Sequence, residues 1–198
     1  MSLDYDTRDR ASIRKHMRAL RNQLSPQQQL AEAKKLSQLL FSLPAMQRAQ
    51  NIAVYLANDG EIDPIVFSER ALYRGKNCLL PSMHQLKKGH MEFGPYHGKR
   101  RENQFGIAEP DGKFNTMLQG KQLDVVLMPL VAFDAQGGRL GMGGGYYDRT
   151  FEFLQKSGVQ KPKLIGLAHE FQQVAELPIE SWDIPLDAIV TSKGIIKC

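Results

Sequence analysis

The spacing of hydrophobic residues predicts three helices in the N-terminal half of the chain. One apolar stripe runs through residues 7–24 at helical spacing; its members are Ile13, Met17, Leu20 and Leu24. Ser25 and Pro26 then form a helix start, because serine caps a first turn and proline fits the first helical position. We expect this second helix to reach Ser42. A third helix is predicted over residues 63–75, where Asp-Pro begins it and Gly ends it.

Short runs of consecutive apolar residues alternate with the helices and predict strands. The clearest runs are Ile52–Leu56, Cys78–Pro81, Leu123–Val131, Leu164–Ala168 and Ala188–Val190. The third run is apolar on both faces, which is typical of a parallel strand buried between two layers. This alternation predicts a three-layer, Rossmann-like α/β fold, an open and mostly parallel sheet with helices on both faces. The 198 residues are 42% hydrophobic, so we expect a single domain over residues 1–198.

Composition and charge narrow the classes of function. No apolar run is long enough to span a bilayer and none follows the charged N-terminus, so we expect a cytoplasmic protein without a membrane partner. The two cysteines, Cys78 and Cys198, are too few and too far apart for a disulfide framework or a zinc cluster. The net charge of +5 fits an anionic ligand. A basic tract interleaved with aromatic residues is lacking apart from residues 99–101, so a small polyanionic substrate explains the charge at least as well as nucleic acid does.

A glycine-rich stretch follows the central apolar run. Residues 137–149 are Gly-Gly-Arg-Leu-Gly-Met-Gly-Gly-Gly-Tyr-Tyr-Asp-Arg, and residues with helical spacing come next. Glycines let backbone N–H groups converge on a phosphate, and a helix N-terminus adds partial positive charge. Arg139 can add a full positive charge, and Asp148 can offer a carboxylate to a metal. The stretch is neither a Walker A loop nor a G-x-G-x-x-G fingerprint, and a simple tight turn remains the alternative.

A second cationic feature lies on the predicted N-terminal helix. Four arginines follow helical spacing along the edge of its apolar stripe: Arg10, Arg14, Arg18 and Arg21. They form either a solvated face or the wall of a cleft, where a planar guanidinium binds phosphate or carboxylate through two hydrogen bonds. In open α/β sheets, ligands bind beyond the carboxyl ends of the strands. Glu61, the glycine-rich stretch and His169 all follow strand ends, so we expect them to share one rim.

Several motifs extend this pattern over most of the chain. The longest runs from Asp124 to Arg149 and ends in Phe-Asp-x-x-Gly-x-Arg-Leu-Gly-x-Gly-x-Gly-Tyr-Tyr-Asp-Arg. The others are an Arg-x-x-x-Arg helix, Asp-Gly-Glu-Ile-Asp after the first strand, Phe-Gly-Ile-x-Glu-Pro before the central strand, and Trp-Asp-Ile-Pro-Leu-Asp near the end. In composition and order these motifs resemble the 5-formyltetrahydrofolate cyclo-ligase family, also called 5,10-methenyltetrahydrofolate synthetase, over residues 10–192.

This resemblance implies an ATP- and Mg²⁺-dependent enzyme that converts 5-formyltetrahydrofolate to 5,10-methenyltetrahydrofolate. ATP would phosphorylate the formyl oxygen, N10 would attack the activated carbon, and ADP and phosphate would be released. The implied ATP-binding residues are Arg10, Arg14, Arg139, Leu140, Gly141, Met142, Gly143, Gly144, Gly145, Tyr146 and Tyr147. The implied folate-binding residues are Leu56, Glu61, Met142, Gly143, Gly144, Gly145 and Tyr146. Arg139 and Tyr147 are the candidate catalytic residues, and Asp148 and Asp183 the candidate magnesium ligands.

Some residues stay without a settled role. Ser82 stands where family members often carry a basic residue, so a phosphate contact is absent or supplied elsewhere. A basic group either attracts the glutamate tail of the folate or forms a solvated loop: Lys87, Lys88, Lys99, Arg100 and Arg101. The histidines lack metal-ligand spacing, and we assign them no role.

Two other functions fit the same residues when the resemblance is set aside. One is a non-catalytic nucleotide- or RNA-binding module, and the other is a kinase or ligase with a different acceptor. The resemblance favours the cyclo-ligase, with small-molecule partners only, and we expect a monomer.

Overall fold

The helices of the protein begin close to where their capping residues predict. The computed structural model describes residues 6, 9–112, 117–156, 158–159 and 161–198. Its α-helices are α1 Arg10–Arg21, α2 Pro26–Ser42, α3 Pro44–Arg48, α4 Ile65–Tyr73 and α5 Tyr146–Phe151. The capping box before α2 is confirmed, because Ser25 and Gln28 exchange side chain–backbone hydrogen bonds. Asp9 caps α1 by accepting from two amides of the first turn, and residue 7 lies outside the described residues.

The strands form one large sheet and two small ones. In chain order they are β1 Asn51–Ala53, β2 Asn77–Met83, β3 Met91–Pro95, β4 Arg100–Glu102, β5 Ala108–Pro110, β6 Val125–Pro129, β7 Ala132–Phe133, β8 Arg139–Leu140, β9 Lys163–Leu167, β10 Ala188–Val190 and β11 Ile195–Lys197. The large sheet has the order β11-β10-β9-β6-β1-β2-β3. Its five inner strands are parallel, and β11 and β3 pair antiparallel at the two edges. The predicted open, mostly parallel sheet is confirmed.

Helices cover both faces of the large sheet. On one face, α2, α3 and α4 bury Leu36, Met46 and Phe67 against the strands. On the other face, α5 buries Phe151 against the same strands. Successive strand residues point to opposite faces, so alternate residues of 125–128 in β6 contribute to the two layers. The predicted three-layer arrangement is therefore confirmed, although the helix after the glycine-rich stretch is only six residues long before it tightens into a 3₁₀ turn.

The sequence predicts one strand over the central apolar run, but the structure has a shorter strand there, followed by part of a hairpin. β6 ends at Pro129, and the chain then pairs β7 with β8 in a separate two-stranded sheet. The turn between them is held by Asp134, whose carboxylate accepts from the amides of Gln136 at 3.0 Å, Gly138 at 2.9 Å and Leu177 at 3.1 Å. Gly137 has a φ of 89°, so the tight-turn alternative is correct for the first part of the glycine-rich stretch.

The order of the parallel strands determines where a ligand can enter the sheet. The chain starts at β1, moves outward to β2, and then returns to place β6 on the other side of β1. Loops leave β1 and β6 in opposite directions at this point, which opens a crevice beyond their carboxyl ends. α1 covers this edge by packing Ile13 and Met17 on the β7–β8 hairpin instead of on the sheet. Within the described chain, no helix has the length and apolar character needed to cross a membrane.

Replacing Asp134 by alanine should strongly destabilise the fold. The residue is 3% exposed, and its loss leaves three amide donors without their acceptor in a poorly hydrated turn. We expect the free energy of unfolding to fall by about 2–4 kcal/mol, as measured by urea denaturation. The exposed neighbour Gln136 provides the control, since Gln136→Ala should change stability by less than about 0.5 kcal/mol. Equal stability of the two variants would contradict this account of the turn.

Candidate active site

A cleft of about 720 Å³ lies at the crevice beyond β1, β2 and β6. Strand ends form its floor, the glycine-rich stretch and α1 form one wall, and the β4–β5 hairpin forms the opposite wall. The candidate site residues that line it are Arg10, Arg14, Leu56, Glu61, Arg139, Gly141, Met142, Gly143, Gly144, Gly145, Tyr146, Tyr147, Asp148 and Asp183. Residues from distant parts of the chain therefore meet in one cavity. Its volume suits a ligand of drug size or larger.

Two residues that the sequence placed at this rim lie elsewhere. The Leu140 side chain is 1% exposed and packs with α1 in the core, because β8 turns it away from the cleft. His169 is fully buried and does not line the cleft. Its ring nitrogens instead face Glu32 and the carbonyl of Gly60, behind the wall that carries Glu61.

Residues 141–145 form the part of the glycine-rich stretch that faces the cleft. Gly143 and Gly145 have φ values of 97° and 64°, and a Cβ on Gly145 would lie 2.7 Å from the Arg149 guanidinium. Arg14 donates from Nε to the Gly141 carbonyl at 2.8 Å, and Arg149 donates to the Gly144 carbonyl. The loop is thus held at both ends by arginines. Because α5 is so short, its dipole adds little to anion binding, and the arginines supply most of the positive charge.

Two ion pairs join the phosphate-type arginines to the candidate metal carboxylates. Arg10 donates to both oxygens of Asp183, at 2.7 and 3.2 Å, and Arg139 approaches Asp148 at 2.5 Å. Burial acts to raise the pKa of Asp183, but the hydrogen bonds from Arg10 and the Glu180 amide and the charges of Arg10 and Arg139 together hold that pKa below the ordinary aspartate value. The hydrogen bond to Asp183 also raises the pKa of Arg10. Asp183 is therefore ionised at neutral pH, and each of the two carboxylates has an arginine as its partner.

Arg139 and Arg14 still offer hydrogen-bonding capacity to a ligand. Arg139 is 6% exposed, and its buried Nε has no partner among the described residues. Its guanidinium carbon lies 5.7 Å from the centre of the Tyr147 ring, within the range of a cation–π contact. Arg14 makes no ion pair within the described chain, and burial followed by the charge of Arg10 lowers its pKa. An anion in the cleft would give both arginines an acceptor and a charge partner.

The carboxylates fit a magnesium ion that takes most of its ligands from elsewhere. Within the described residues, no group of three or more His, Cys, Asp or Glu side chains is arranged to hold a metal. Asp148 and Asp183 nevertheless line the same cavity, and the amide of Ile184 lies 3.4 Å from Asp148. Mg²⁺ commonly accepts one or two carboxylates and leaves its other positions to water and phosphate oxygens. Two carboxylates beside a phosphate-type loop fit that donor set.

Glu61 is held in the cleft by a loop with unusual backbone conformation. Asp59 has a φ of 50° and Gly60 a φ of 71°, both in the left-handed region. The Asp59 carboxylate anchors the loop to α1 by accepting from Arg18 and Arg21 at 2.6 Å each. The Glu61 carboxylate accepts from the amide of Asn58 at 3.1 Å. The last two arginines of the helical stripe therefore bind the loop that carries Glu61, while the first two face the cleft.

Burial changes the protonation of Glu61 and Tyr147. Removal from water raises the pKa of Glu61 to about 7, although Asn58 and Arg21 act against this shift. Burial also raises the pKa of Tyr147 above its usual value, and the nearby Glu61 adds to the effect. The Tyr147 hydroxyl consequently keeps its proton at neutral pH. It can donate a hydrogen bond, but it cannot serve as a general base.

The β4–β5 hairpin supplies residues that the sequence did not assign. Glu109 is 2% exposed and accepts from the Met83 amide at 3.0 Å and from Arg101 at 2.9 Å. Phe105 meets Tyr146 edge to face, with ring centres 6.0 Å apart. Ser82 also lines the cleft, and its buried hydroxyl has no partner within the described part of the chain. The motif Phe-Gly-Ile-x-Glu-Pro could have pointed to these residues, because its first and fifth positions are Phe105 and Glu109.

Sequence comparison relates nearly the whole chain to known proteins. Residues 6–192 match the model of the 5-formyltetrahydrofolate cyclo-ligase family. The chain is 39% identical over 181 residues to the 5-formyltetrahydrofolate cyclo-ligase of Escherichia coli (strain K12), covering 90% of this chain and 98% of that protein. It is 38% identical over 183 residues to the 5-formyltetrahydrofolate cyclo-ligase of Haemophilus influenzae, covering 91% and 96%.

Solved structures show the same relationship. The 5,10-methenyltetrahydrofolate synthetase of Aquifex aeolicus superposes with a TM-score of 0.79 at 29% identity, covering 95% of this chain and 92% of that one. The 5,10-methenyltetrahydrofolate synthetase of Mycoplasma pneumoniae gives a TM-score of 0.72 at 25% identity, covering 93% and 99%. Because the family model, the relatives and the fold agree over nearly the full length, the chain belongs to the 5-formyltetrahydrofolate cyclo-ligase family.

Proposed function

We propose that the protein converts 5-formyltetrahydrofolate to 5,10-methenyltetrahydrofolate, with consumption of ATP and release of ADP and phosphate. One observation carries this proposal beyond family membership. A single cleft is lined both by a cationic, glycine-rich wall and by the buried carboxylate of Glu61. A nucleotide-binding module would need only the first feature. An enzyme that joins ATP chemistry to a pterin needs both.

The cationic wall is proposed to bind the triphosphate of ATP. Arg10, Arg14 and Arg139 line the cleft beside residues 141–145, and the Arg139 Nε has no hydrogen-bond partner among the residues that the structure describes. Charge-assisted hydrogen bonds from guanidinium groups to phosphate are among the stronger ones in proteins. The backbone of Leu140, Tyr146 and Tyr147 would complete the nucleotide site, since the Leu140 side chain is in the core.

Asp148 and Asp183 are proposed to bind Mg²⁺ when the nucleotide is present. Each carboxylate is paired with an arginine in the ligand-free arrangement. Phosphate oxygens can replace the carboxylates as partners of Arg10 and Arg139, which leaves the carboxylates free for the metal. This exchange keeps every buried charge paired and so avoids the cost of an isolated ion. Bound Mg²⁺ would neutralise charge that builds up on the transferred phosphoryl group.

Glu61 is proposed to hold the pterin ring of the folate. A pterin carries adjacent N–H donors, and an ionised carboxylate accepts two of them at once. Leu56 and residues 142–146 line the same cleft as Glu61. Met142 is 51% exposed at the rim, where an incoming ligand can cover it. The ligand would therefore bury apolar surface and supply hydrogen-bond donors to a carboxylate whose ionised form is disfavoured by burial.

This placement explains the chemistry without a protein base or nucleophile. The formyl oxygen attacks the terminal phosphorus of ATP, and ADP leaves. N10 then attacks the activated carbon and loses its proton, and phosphate leaves to give the methenyl bridge. The protein would contribute orientation, the positive charge of Arg139 and the hydrogen-bond donor of Tyr147, which are the contributions that phosphoryl transfer requires.

A reconstitution with each component omitted tests the proposed activity. Purified protein with 5-formyltetrahydrofolate, ATP and Mg²⁺ should form methenyltetrahydrofolate and ADP in equal amounts. Near-ultraviolet absorbance follows the folate product, and a coupled assay follows ADP. Neither product should form when any one component is left out. ADP release at the same rate without the folate would identify an ATPase, and absorbance change without ATP would equally exclude a cyclo-ligase.

Alanine at Arg14 or Arg139 should weaken ATP binding by roughly ten- to hundredfold. A lost charge-assisted hydrogen bond costs about 1.5–3 kcal/mol, which corresponds to that change in affinity. Calorimetric titration with ATP and Mg²⁺ measures it. The matched control is Arg48→Ala on the exposed face of α3, which should leave ATP affinity unaltered. If both cleft variants bound ATP as the control does, these arginines would not belong to the nucleotide site.

Glu61→Gln should change the pH dependence of stability. Burial raises the pKa of Glu61 to about 7 in the folded protein, whereas an unfolded chain holds glutamate near its ordinary value. The stabilising contribution of the protonated group is therefore complete below the unfolded pKa and is lost as the pH rises through about 7. Between roughly pH 4 and pH 8.5, the free energy of unfolding of the variant should rise by about 3–4 kcal/mol relative to that of the wild type, as measured by urea denaturation.

The same substitution should remove a pH dependence of folate binding. Wild-type affinity for 5-formyltetrahydrofolate should fall towards tenfold per pH unit below about 7, since the ligand selects the ionised carboxylate. The variant should bind weakly at every pH. Glu69→Gln, at an exposed position of α4, serves as the control for both measurements and should match the wild type. A wild-type affinity that stays constant across this range would argue against contact between Glu61 and the pterin.

A further inference from the structure

His169 is a buried, polar side chain that the proposed chemistry does not use. It follows β9, and its residue is 0% exposed. Its Nδ1 lies 2.5 Å from a carboxylate oxygen of Glu32 in α2, and its Nε2 lies 3.1 Å from the carbonyl oxygen of Gly60. The imidazole thus bridges a helix on one face of the sheet to the loop that precedes Glu61.

The hydrogen-bond partners determine where the ring protons lie. A carbonyl oxygen can only accept, so Nε2 must carry a hydrogen and donate it to Gly60. A carboxylate at 2.5 Å from Nδ1 requires a second proton between those two atoms. Both ring nitrogens are therefore directed at fixed acceptors, and Glu32 holds the ring in the orientation that Gly60 needs.

The backbone around His169 leaves the ring little freedom to turn. The imidazole stacks on Phe171, with ring centres 5.4 Å apart and planes 4° from parallel. The amide of His169 donates to the Gln172 side chain at 2.8 Å, and the Gln172 amide donates back to the His169 carbonyl at 3.1 Å. The Nε2–H group of His169 is therefore held in a fixed direction towards the Gly60 carbonyl.

The hydrogen bond from His169 to the Gly60 carbonyl also constrains the backbone of Glu61. The carbonyl of Gly60 and the amide of Glu61 belong to the same planar peptide group, so holding the carbonyl also holds the start of Glu61. The amide of Glu61 donates to the Asn58 carbonyl at 3.0 Å, which fixes the other edge of that plane. A left-handed conformation at a non-glycine residue such as Asp59 costs free energy, so the loop needs such external contacts to keep its shape.

We propose that His169, oriented by Glu32, is a positioning residue for the Glu61 carboxylate and through it for the pterin ring of the folate. The inference rests on the proposed role of Glu61. His169 does not line the cleft, so it acts on the ligand only by way of the Gly60–Glu61 peptide group. Loss of the imidazole should thus weaken folate binding while the arginines and glycines of the opposite wall still bind ATP.

A double-mutant cycle on folate affinity tests this inference. We expect His169→Phe, which keeps a ring but removes both hydrogen bonds, to weaken binding of 5-formyltetrahydrofolate about tenfold. His169→Gln should recover part of that loss, because its amide can still donate to the Gly60 carbonyl. Glu61→Ala should weaken folate binding more strongly. The combination of His169→Phe with Glu61→Ala should bind no more weakly than Glu61→Ala alone, since the imidazole acts only through that carboxylate.

A second measurement separates positioning from general loss of structure. ATP affinity should remain within about twofold of the wild type in every His169 variant, and kcat at saturating folate should fall less than the KM for folate rises. If His169→Phe does not fold, Glu32→Gln provides the same test. It keeps a hydrogen-bond acceptor for Nδ1 but removes the charge, and it should raise the KM for folate about threefold without changing the KM for ATP.

Several results would overturn the inference. They are additive losses in the cycle, equal losses of ATP and folate affinity, or wild-type folate affinity in both His169→Phe and Glu32→Gln. A normal folate affinity in Glu61→Ala would remove the proposed role of Glu61 as well. A weakened Glu61→Ala beside normal His169 variants would reject His169 alone.

Discussion

The arginines of α1 contact both the glycine-lined wall of the cleft and the loop that carries Glu61. The first half of the arginine stripe faces the glycine-lined wall, where Arg14 holds the Gly141 carbonyl. Its second half, Arg18 and Arg21, holds Asp59 and so the loop that carries Glu61. A helix rises about 1.5 Å per residue, so the spacing of these arginines sets the distance between the glycine-lined wall and the loop that carries Glu61. The position of α1, packed on the β7–β8 hairpin, is therefore the constraint on which the site geometry depends.

Two of the three arginines that line the cleft are each paired with a carboxylate. Arg10 and Arg139 pair with Asp183 and Asp148 before any ligand binds. Breaking such a pair by removing one partner is costly, whereas exchanging partners is not. Under the proposed function, nucleotide and metal offer new partners to both members of each pair. The free protein thus holds these two cations and two carboxylates in place before a ligand binds.

The fold was largely predictable because its signals are local. Buried parallel strands are apolar runs, and capping residues such as Ser25 mark helix ends within four residues of sequence. The β7–β8 hairpin was not predicted, since a two-residue strand at Arg139 is too short to show a hydrophobic period. The division of the glycine-rich stretch into a turn and a cleft-facing loop follows from that pairing.

The site was predictable only where its residues occur in motifs. The arginines, Glu61 and the carboxylates could be named, because each lies in a motif of recognisable order. Their mutual contacts could not, since Arg10 and Asp183 are separated by 173 positions and meet only through the fold. The same holds for His169, whose contact with Gly60 spans 109 positions and whose sequence neighbourhood gives no sign of it.

The burial of Glu61 has a thermodynamic consequence for substrate entry. A carboxyl group with a pKa of about 7 is partly protonated in the empty cleft, and a pterin that donates to it must displace the proton. Under the proposed assignment, association with the folate and release of a proton to the solvent are one coupled event near neutral pH. The enthalpy of folate binding would then include the ionisation heat of the buffer that takes up this proton, so the heat of binding would differ between phosphate and Tris at identical affinity.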